Sequence, residues 1–371
     1  MVAVTILPLS LSGVLSLQLR QDLGLTSEGL GIVFAVFFGS AALSSSWLGR
    51  VTERLGPGRS LRLGGAGIVV SSTAVATLVQ TPTQLVVAIA AAGTSSALTR
   101  PAANLWIARA IPVGRQGLAL GVNQSSVLVA TLAAGIAVPA LALPLGWRSA
   151  YLATAVLAVA AVLALPPDST AWRSRPRSAA PAAAADLSHG RLVMLAITAG
   201  FATAGASCLG AFTLPTLVAS GTREATAGLV IAASSVLGLL ARIGVGHGAD
   251  RRSAVGLVGT TIMIGLGALA FLLLATGSMP AVLVGVPLSF ATAWGWLGLF
   301  NLAILRLNPV APGAATGITQ SGAFVGGVAG PFLMGVIAER LTYGAGWTFL
   351  AALAALSAVA MLVIDRTLRS R

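Results

Sequence analysis

Long apolar runs are the feature that most restricts how this chain can fold. A membrane-spanning helix needs about 20 mostly apolar residues, with a range of roughly 17–25, and twelve stretches of the sequence reach or approach that length. Only 8% of the residues are charged, against about 25% in soluble domains, so most of the folded surface must face lipid. The sequence therefore predicts an all-α integral membrane protein.

The predicted spans form two groups of six. The first group is Val2–Leu19, Leu30–Leu48, Leu63–Val79, Leu85–Ala108, Leu118–Leu143 and Ala150–Leu165. The second group is Leu192–Leu217, Ala227–Gly244, Val255–Ala275, Ala281–Leu305, Ala315–Ile337 and Trp347–Ile364. Residues 166–190 between them are rich in Pro, Ala, Ser and Arg, a composition typical of a flexible linker. We predict an N-terminal six-helix bundle at 1–165, a cytoplasmic linker at 166–190, and a C-terminal bundle at 191–371 with a short cytoplasmic tail.

The first predicted span begins almost at Met1 and has no basic residues before it. A cleaved signal peptide is the alternative interpretation, but such a peptide usually carries a basic leader. We interpret the segment as a helix because the two-group pattern requires it, and whether the natural chain starts upstream of Met1 stays open.

The arginines between the spans predict the orientation. With the N-terminus inside, four arginines lie in outer gaps: Arg20, Arg148, Arg223 and Arg340. Sixteen lie in cytoplasmic gaps or the tail: Arg50, Arg54, Arg59, Arg62, Arg109, Arg115, Arg173, Arg175, Arg177, Arg191, Arg251, Arg252, Arg306, Arg366, Arg369 and Arg371. Basic residues accumulate in cytoplasmic loops, so we expect a multi-pass protein of the cell membrane with both termini in the cytoplasm.

The remaining composition argues against several other functions. A nucleic-acid-binding protein concentrates its basic residues on one soluble face, whereas this net charge of +13 is spread over the gaps between spans. The single cysteine, Cys208, excludes an internal disulfide and a cysteine metal cluster. His189 and His247 are far apart in sequence. We find no clustered nucleophile, base or metal ligands, so we predict neither an enzyme nor a cofactor.

Four short motifs recur in the same order in both groups of spans. Gly49–Arg54 and Gly246–Arg251 both read Gly, three residues, acid, Arg, and they are 197 positions apart. Asn104–Pro112 matches Asn301–Pro309 at the same offset. Gly121–Ser125 matches Gly317–Ser321 at 196, and Gly146-Trp147 matches Gly346-Trp347 at 200. Six crossings is an even number, so the two groups have the same direction in the membrane, which indicates a parallel six-plus-six repeat.

The motif at Gly49–Arg54, with its weaker copy at Gly246–Arg251, resembles the signature of the major facilitator superfamily. The resemblance covers the whole chain, but the first copy has Glu53 in place of the usual aspartate and Pro57-Gly58 where basic residues are usual. It implies twelve helices in two six-helix bundles around a central cavity, and alternating-access transport of a small-molecule substrate by a monomer in the lipid bilayer. A coupling proton is an open question, because the sequence predicts no Asp, Glu, Lys or His deep in a span; Asp22, Glu28 and Glu224 near the outer mouth are the candidate titrating groups.

The resemblance also implies a gate built from Gly49, Glu53, Arg54, Gly246, Asp250 and Arg251. Glycine lets two helices approach closely, and a carboxylate is stabilised at the positive N-terminus of a helix. Glu53 would contact the eleventh span, starting near Gly313, and Asp250 would contact the fifth, starting near Gln116. These contacts would hold the cytoplasmic side shut. The alternative is that both acids are ordinary loop residues.

Two arginines fall inside predicted spans, where charged residues are costly and usually functional. Arg242 is close to the cytoplasmic end of the eighth span, so we expect it to extend to the interface or to pair with an acid there. Arg100 is about 13 Å from the end of the fourth span and corresponds in the repeat to Leu297. A guanidinium in a wet cavity binds carboxylates and related anions through paired hydrogen bonds. The alternative for Arg100 is a structural role on helix carbonyls or a polar neighbour.

The remaining candidate substrate-binding residues are Asn104, Asn123, Gln124, Trp294, Asn301 and Gln320. The resemblance places spans 1, 4, 7 and 10 around the cavity, with 5, 8 and 11 contributing. Hydrogen bonding between helices is the alternative role for the amides, and packing is the alternative for Trp294. Within transport, Arg100 favours a small organic anion, while Trp294 and the many alanines favour export of apolar, drug-like compounds. A non-transporting receptor on a transporter frame is the alternative from another class.

Overall fold

The computed structural model describes residues 1–111, 122–166, 187–251, 257–308 and 312–369, which are almost entirely helical. We label the helices in chain order. The first half contains α1 (Val2–Val14), α2 (Ser16–Leu23), α3 (Ser27–Leu55), α4 (Pro57–Thr77), α5 (Pro82–Ala110), α6 (Ser126–Ala137) and α7 (Trp147–Leu163). The second half contains α8 (His189–Ala219), α9 (Glu224–Arg251), α10 (Val258–Ala275), α11 (Met279–Ala293), α12 (Trp296–Leu307), α13 (Pro312–Arg340) and α14 (Tyr343–Arg369).

Most of these helices suit a bilayer. In the part of the chain that the structure describes, nine spans are long and apolar enough to cross a membrane, or ten if α1 and α2 together form one. The helices α4 and α7 occupy the places of predicted spans three and six. The helical order therefore follows the predicted arrangement of twelve spans in two groups.

Three predicted spans are less regular than the sequence suggested. The first is bent by 68° between α1 and α2, and the tenth is interrupted between α11 and α12. The fifth continues from α6 through a π-helical turn, Val138–Ala142, to Leu143–Leu145. Proline lacks the N–H that a regular helix needs, and Pro139 lies in this π-helical turn. In the tenth span the chain instead breaks at Trp294 and Gly295, which apolar content alone did not reveal.

The gate motif lies on a helix and not in the loop that we expected. Gly49, Glu53 and Arg54 belong to the last two turns of α3, because their segment contains no residue that stops a helix before Gly56. Gly56 has φ = +82°, which only glycine adopts at low cost, and Pro57 then starts α4. The second copy, Gly246–Arg251, likewise forms the end of α9.

The helix packing repeats between the halves. In the first half α3 packs on α5, α1 on α6, and α4 on α7. The matching pairs in the second half are α9 with α11, α8 with α13, and α10 with α14. Between the halves, α3 packs on α13, α6 on α9, and α1 on α8. This is the packing that a two-fold axis between two related bundles requires.

Close glycine contacts join the two halves. Gly13 of α1 lies so close to Gly210 of α8 that a Cβ at Gly13 would collide with the Gly210 carbonyl oxygen, and these two residues are 197 positions apart. Gly228 of α9 meets Gly135 of α6 in the same way, with the added Cβ 2.6 Å from the Gly135 oxygen. Small residues allow such close helix approach in membranes. These contacts lie in the half of the bundle toward the predicted outer face.

Side chains also join the two halves at this end, in a group that we call the outer cluster (Gln18, Arg20, Ser27, Glu224, Glu339 and Tyr343). Gln18 donates to Glu224 at 2.9 Å, and the Ser27 backbone N–H donates to Glu339 at 2.7 Å. Arg20 lies 3.9 Å from the Glu339 carboxylate, and the hydroxyls of Ser27 and Tyr343 are 3.2 Å apart. The described residues therefore hold the halves together at the predicted outer end.

The orientation in the membrane is testable with single cysteines. Arg54 at the end of α3 and Gln80 between α4 and α5 are both exposed and lie at opposite ends of the bundle. The native Cys208 is buried, so a Cys208→Ala background loses no accessible thiol. We expect a membrane-impermeant maleimide to label Gln80→Cys in intact cells, and to label Arg54→Cys only after the cells are opened. Labelling of Arg54→Cys from outside would reverse the predicted topology.

Candidate functional site

A cavity lies between the two halves, with a volume of about 980 Å³ including the open space at its mouth. Its lining comes from the spans numbered 1, 2, 4 and 5 in the first half and from the corresponding spans 7, 8, 10 and 11 in the second. Small-molecule sites favour such boundaries between structural units. The fold therefore creates a cavity on the axis that relates the halves.

Arg100 reaches this cavity from α5. Its Nε atom is buried and has no hydrogen-bond partner among the residues that the structure describes. It lies ten residues before the end of the helix at Ala110, about 15 Å along the axis. Charged groups buried in a protein are usually paired or hydrogen-bonded. An incompletely satisfied guanidinium that lines an open space is therefore suited to bind an anion.

Arg242 lines the same cavity from α9 in the other half. Its Nη1 atom donates a hydrogen bond of 2.8 Å to the backbone oxygen of Gln124. Our expectation that this side chain extends to the cytoplasmic interface is therefore wrong: the guanidinium turns inward because the Gln124 carbonyl of the opposite half lies within its reach. The cavity thus receives one arginine from each half.

The rest of the lining is mostly apolar and aromatic. The aromatic side chains are Phe34, Phe37, Phe38, Phe290, Trp294 and Phe324. Hydroxyls come from Ser10, Thr131, Thr203 and Ser207. Among the described lining residues none is acidic, so Arg100 and Arg242 have no carboxylate beside them there. The site therefore combines two positive charges with an aromatic wall.

The predicted amides divide between the cavity and helix contacts. Gln124 and Gln320 line the cavity. Asn123 donates to Asn104 at 2.9 Å, and Gln320 donates to Asn301 at 3.2 Å. The two bonds are equivalent under the offset of 197, which pairs Gln320 with Asn123. Our alignment of Gln320 with Gln124 at 196 therefore does not describe these contacts, because the chain is irregular around Ser125 before α6.

The two mid-span tryptophans have different surroundings. Trp294 occupies the break between α11 and α12 and lines the cavity. Trp296 is almost fully buried and packs edge-on against Phe300, with ring centroids 5.6 Å apart. The sequence also did not single out the phenylalanines of α3. Their Phe37-Phe38 doublet was a signal, but a doublet alone does not show which ring faces the axis.

Asp22 and Glu224, two of the three outer acids that we considered as titrating groups, contact other side chains. The Asp22 carboxylate accepts from the Trp147 indole at 2.7 Å and lies 3.5 Å from Arg148. Glu224 belongs to the outer cluster.

Trp347, which corresponds to Trp147 in the repeat, donates its indole N–H to the Thr216 hydroxyl at 2.8 Å. The two Gly-Trp motifs thus attach the last span of each half to its first span.

At the predicted cytoplasmic end, the gate residues of α3 lie on the last two turns of the helix. The Glu53 side chain is exposed, and a Cβ on Gly49 would meet no atom within 4 Å. An acid in the last turn of its own helix faces the negative end of the helix dipole, which favours a partner on another helix. The α13 helix begins at Pro312, close to the predicted start. The Asp250 side chain and Gln116 lie outside the described residues, so that contact and the latch as a whole stay predictions.

Replacement of Glu53 by alanine tests the latch. A carboxylate at a helix N-terminus contributes about 0.3–1 kcal/mol at an exposed site, so we expect Glu53→Ala to favour the inward-open state by about 2- to 5-fold. The measurement is the rate at which a thiol reagent, added to inside-out vesicles, labels Ala323→Cys in the cavity. Glu53→Asp keeps the charge and should label at the rate of the parent. Equal rates for all three proteins would argue against the latch.

Comparison with known proteins agrees with this architecture. The Major Facilitator Superfamily profile matches residues 2–307. No curated protein matches the sequence.

Among solved structures, a bacterial homologue of the human lysosomal transporter Spinster is similar in two states. Its inward-facing, unoccupied form has a TM-score of 0.71 at 14% identity, over 98% of this chain and 93% of that one. Its inward-facing, occupied form has a TM-score of 0.76 at 15% identity, over 100% and 96%. A D323A mutant of the nucleoside transporter NupG has a TM-score of 0.77 at 16% identity, over 98% of each chain.

At these identities the structural likeness establishes the fold alone, whereas the profile match spans most of the sequence. Together with the repeated packing and the axial cavity, this match shows that the chain is a membrane transporter protein of the major facilitator superfamily.

Proposed function

We propose that this protein moves a small organic anion across the cell membrane by alternating access, and that Arg100 binds the acidic group of the substrate. The observation that carries the proposal is the Arg100 guanidinium, which lines the axial cavity while its buried Nε lacks a hydrogen-bond partner in the described part of the chain. A carboxylate accepts two parallel N–H bonds from such a group, which gives both affinity and orientation. We assign Asn104 and Asn301 to helix packing and not to substrate binding, because each accepts a hydrogen bond from an amide side chain of the next span.

The two ends of the bundle support alternating access. The outer cluster and the glycine contacts join the halves at one end, while Glu53 is exposed at the other. We infer an inward-facing arrangement in which the cytoplasm reaches Arg100. Because the whole pathway lies within one chain, a monomer suffices.

Uptake by proteoliposomes tests the proposal. We expect labelled 4-phenylbutanoate to enter vesicles that contain the protein faster than protein-free vesicles, and excess unlabelled 4-phenylbutanoate to suppress that entry. Binding without any flux would instead support the receptor interpretation.

A second function, export of neutral apolar compounds, is favoured by the aromatic wall of the cavity. It predicts that 4-phenylbutan-1-ol competes as well as the acid. The anion proposal predicts weak competition by the alcohol, so the same vesicles discriminate between the two functions.

A further inference from the structure

Arg242 and Arg100 approach one cavity from opposite halves of the protein. Arg100 is on the fourth span and Arg242 on the eighth, and both line the space between the bundles. The two positive guanidinium groups repel each other in the cavity. An anion attracts both of them, and this attraction is strongest where little water screens the charges. An anionic head group between them would meet hydrogen-bond donors from both halves.

Each arginine keeps donors for such a ligand. Arg242 uses Nη1 for the Gln124 carbonyl, which fixes the guanidinium in the cavity wall. Guanidinium carries five N–H donors in a planar fork, so one bond leaves most of them unassigned by that contact. The Nε atom of Arg100 is buried and has no hydrogen-bond partner among the described residues.

The aromatic residues define the rest of the ligand. Phe34, Phe37 and Phe38 line the cavity from one half, and Phe290, Trp294 and Phe324 line it from the other. A small, fully hydrated anion such as acetate has no apolar group that could pack against this surface. Burial of an apolar group against it is favourable in proportion to the area removed from water. The lining therefore suits a molecule with a charged end and an apolar body.

We propose that the substrate is an amphipathic organic anion whose single acidic group bridges Arg100 and Arg242 and whose apolar or aromatic body packs against the phenylalanines and Trp294. This proposal rests on the proposed function and adds the second arginine and the apolar body. Because the bridge would join the two halves through the ligand, occupancy would also favour their approach around the site.

Binding of four matched probes to the purified protein tests the inference by calorimetry. They are 4-phenylbutanoate, butanoate, 4-phenylbutan-1-ol and 4-phenylbutan-1-amine. We expect 4-phenylbutanoate to bind about 10- to 100-fold more tightly than butanoate, which lacks the ring. It should bind at least about 10-fold more tightly than the alcohol, and the amine should bind most weakly.

Arg242→Gln isolates the second arginine. Glutamine is a shorter, polar side chain that keeps N–H donors but removes the charge. We expect the Kd of 4-phenylbutanoate to rise about 10- to 100-fold, while that of the alcohol changes less than about 3-fold and so reports an intact cavity. Arg306→Gln removes an exposed charge of α12 outside the cavity, and should leave both constants unchanged.

The outcomes separate the two proposals. If butanoate binds as tightly as 4-phenylbutanoate, the apolar body is wrong, and if Arg242→Gln binds the acid like the parent, the bridge is wrong. In both cases anion binding at Arg100 would survive. If neither acid binds, or the alcohol binds more tightly than the acid, the proposed anion transport fails, and this inference fails with it.

Discussion

Arg100→Ala is expected to abolish anion transport and to raise the Kd of 4-phenylbutanoate by at least about 30-fold. Truncation of one partner of a buried, hydrogen-bonded charge pair costs about 2–5 kcal/mol or more, which corresponds to about 30- to several-thousand-fold in affinity. Arg100→Lys keeps a positive charge but loses the planar fork, so its Kd should lie between those of the parent and the alanine variant. Calorimetry and vesicle uptake measure the two effects.

The stability of the same variant separates binding from a structural role. The buried Nε of Arg100 has no hydrogen-bond partner, so truncation leaves no described partner unsatisfied, and removal of a buried charge is not costly in itself. We therefore expect Arg100→Ala to express and to melt at or above the temperature of the parent. A marked fall in both would indicate that Arg100 is structural. Normal transport by a well-folded Arg100→Ala protein would remove it from the site.

Gly13→Ala is expected to block closure of the outer end. The added Cβ would collide with the carbonyl oxygen of Gly210, part of a backbone that cannot move aside as a side chain could. Overpacking of this kind costs about 1–3 kcal/mol, so the equilibrium should shift about 5- to 150-fold toward the outward-open state. Transport should fall by a similar factor, because the carrier must close at this contact in every cycle.

A nearby glycine provides the control for this substitution. A Cβ on Gly39 of α3 would lie 3.9 Å from Val328, an ordinary van der Waals contact at the same interface between halves. Gly39→Ala should therefore transport like the parent. The state of the outer end is measured by labelling Gln18→Cys from outside: faster labelling in Gly13→Ala alone supports the account. Equal labelling and equal transport in both variants would show that the helices do not need this close approach.

The sequence predicted the architecture because the signals for it are local and repeated. Apolar length defines the spans, and the offset of 197 between Gly49 and Gly246 also relates Gly13 to Gly210, which meet across the two halves. The positions of helix ends were harder to predict. The run from Gly49 to Leu55 reads as a charged loop, yet it continues α3 because the breakers come only at Gly56 and Pro57.

Part of the cavity lining was predicted from the sequence. Arg100, Gln124, Trp294 and Gln320 all line the cavity, because a polar or bulky residue inside a span needs a partner or a space. The inward direction of Arg242 depends on a carbonyl 118 positions away in sequence, and no local pattern reveals that contact. The same reason explains why the phenylalanines of α3 were missed: which face of a membrane helix meets the axis is decided by its neighbours.

The central claim is that an organic anion bound at Arg100 crosses the membrane as the two halves alternate. Counterflow tests it most directly: vesicles preloaded with unlabelled 4-phenylbutanoate are diluted into a trace of the labelled acid. We predict a transient accumulation of label with the parent protein and none with Arg100→Ala. Tight binding with no counterflow, or equal counterflow with Arg100→Ala, would contradict the account.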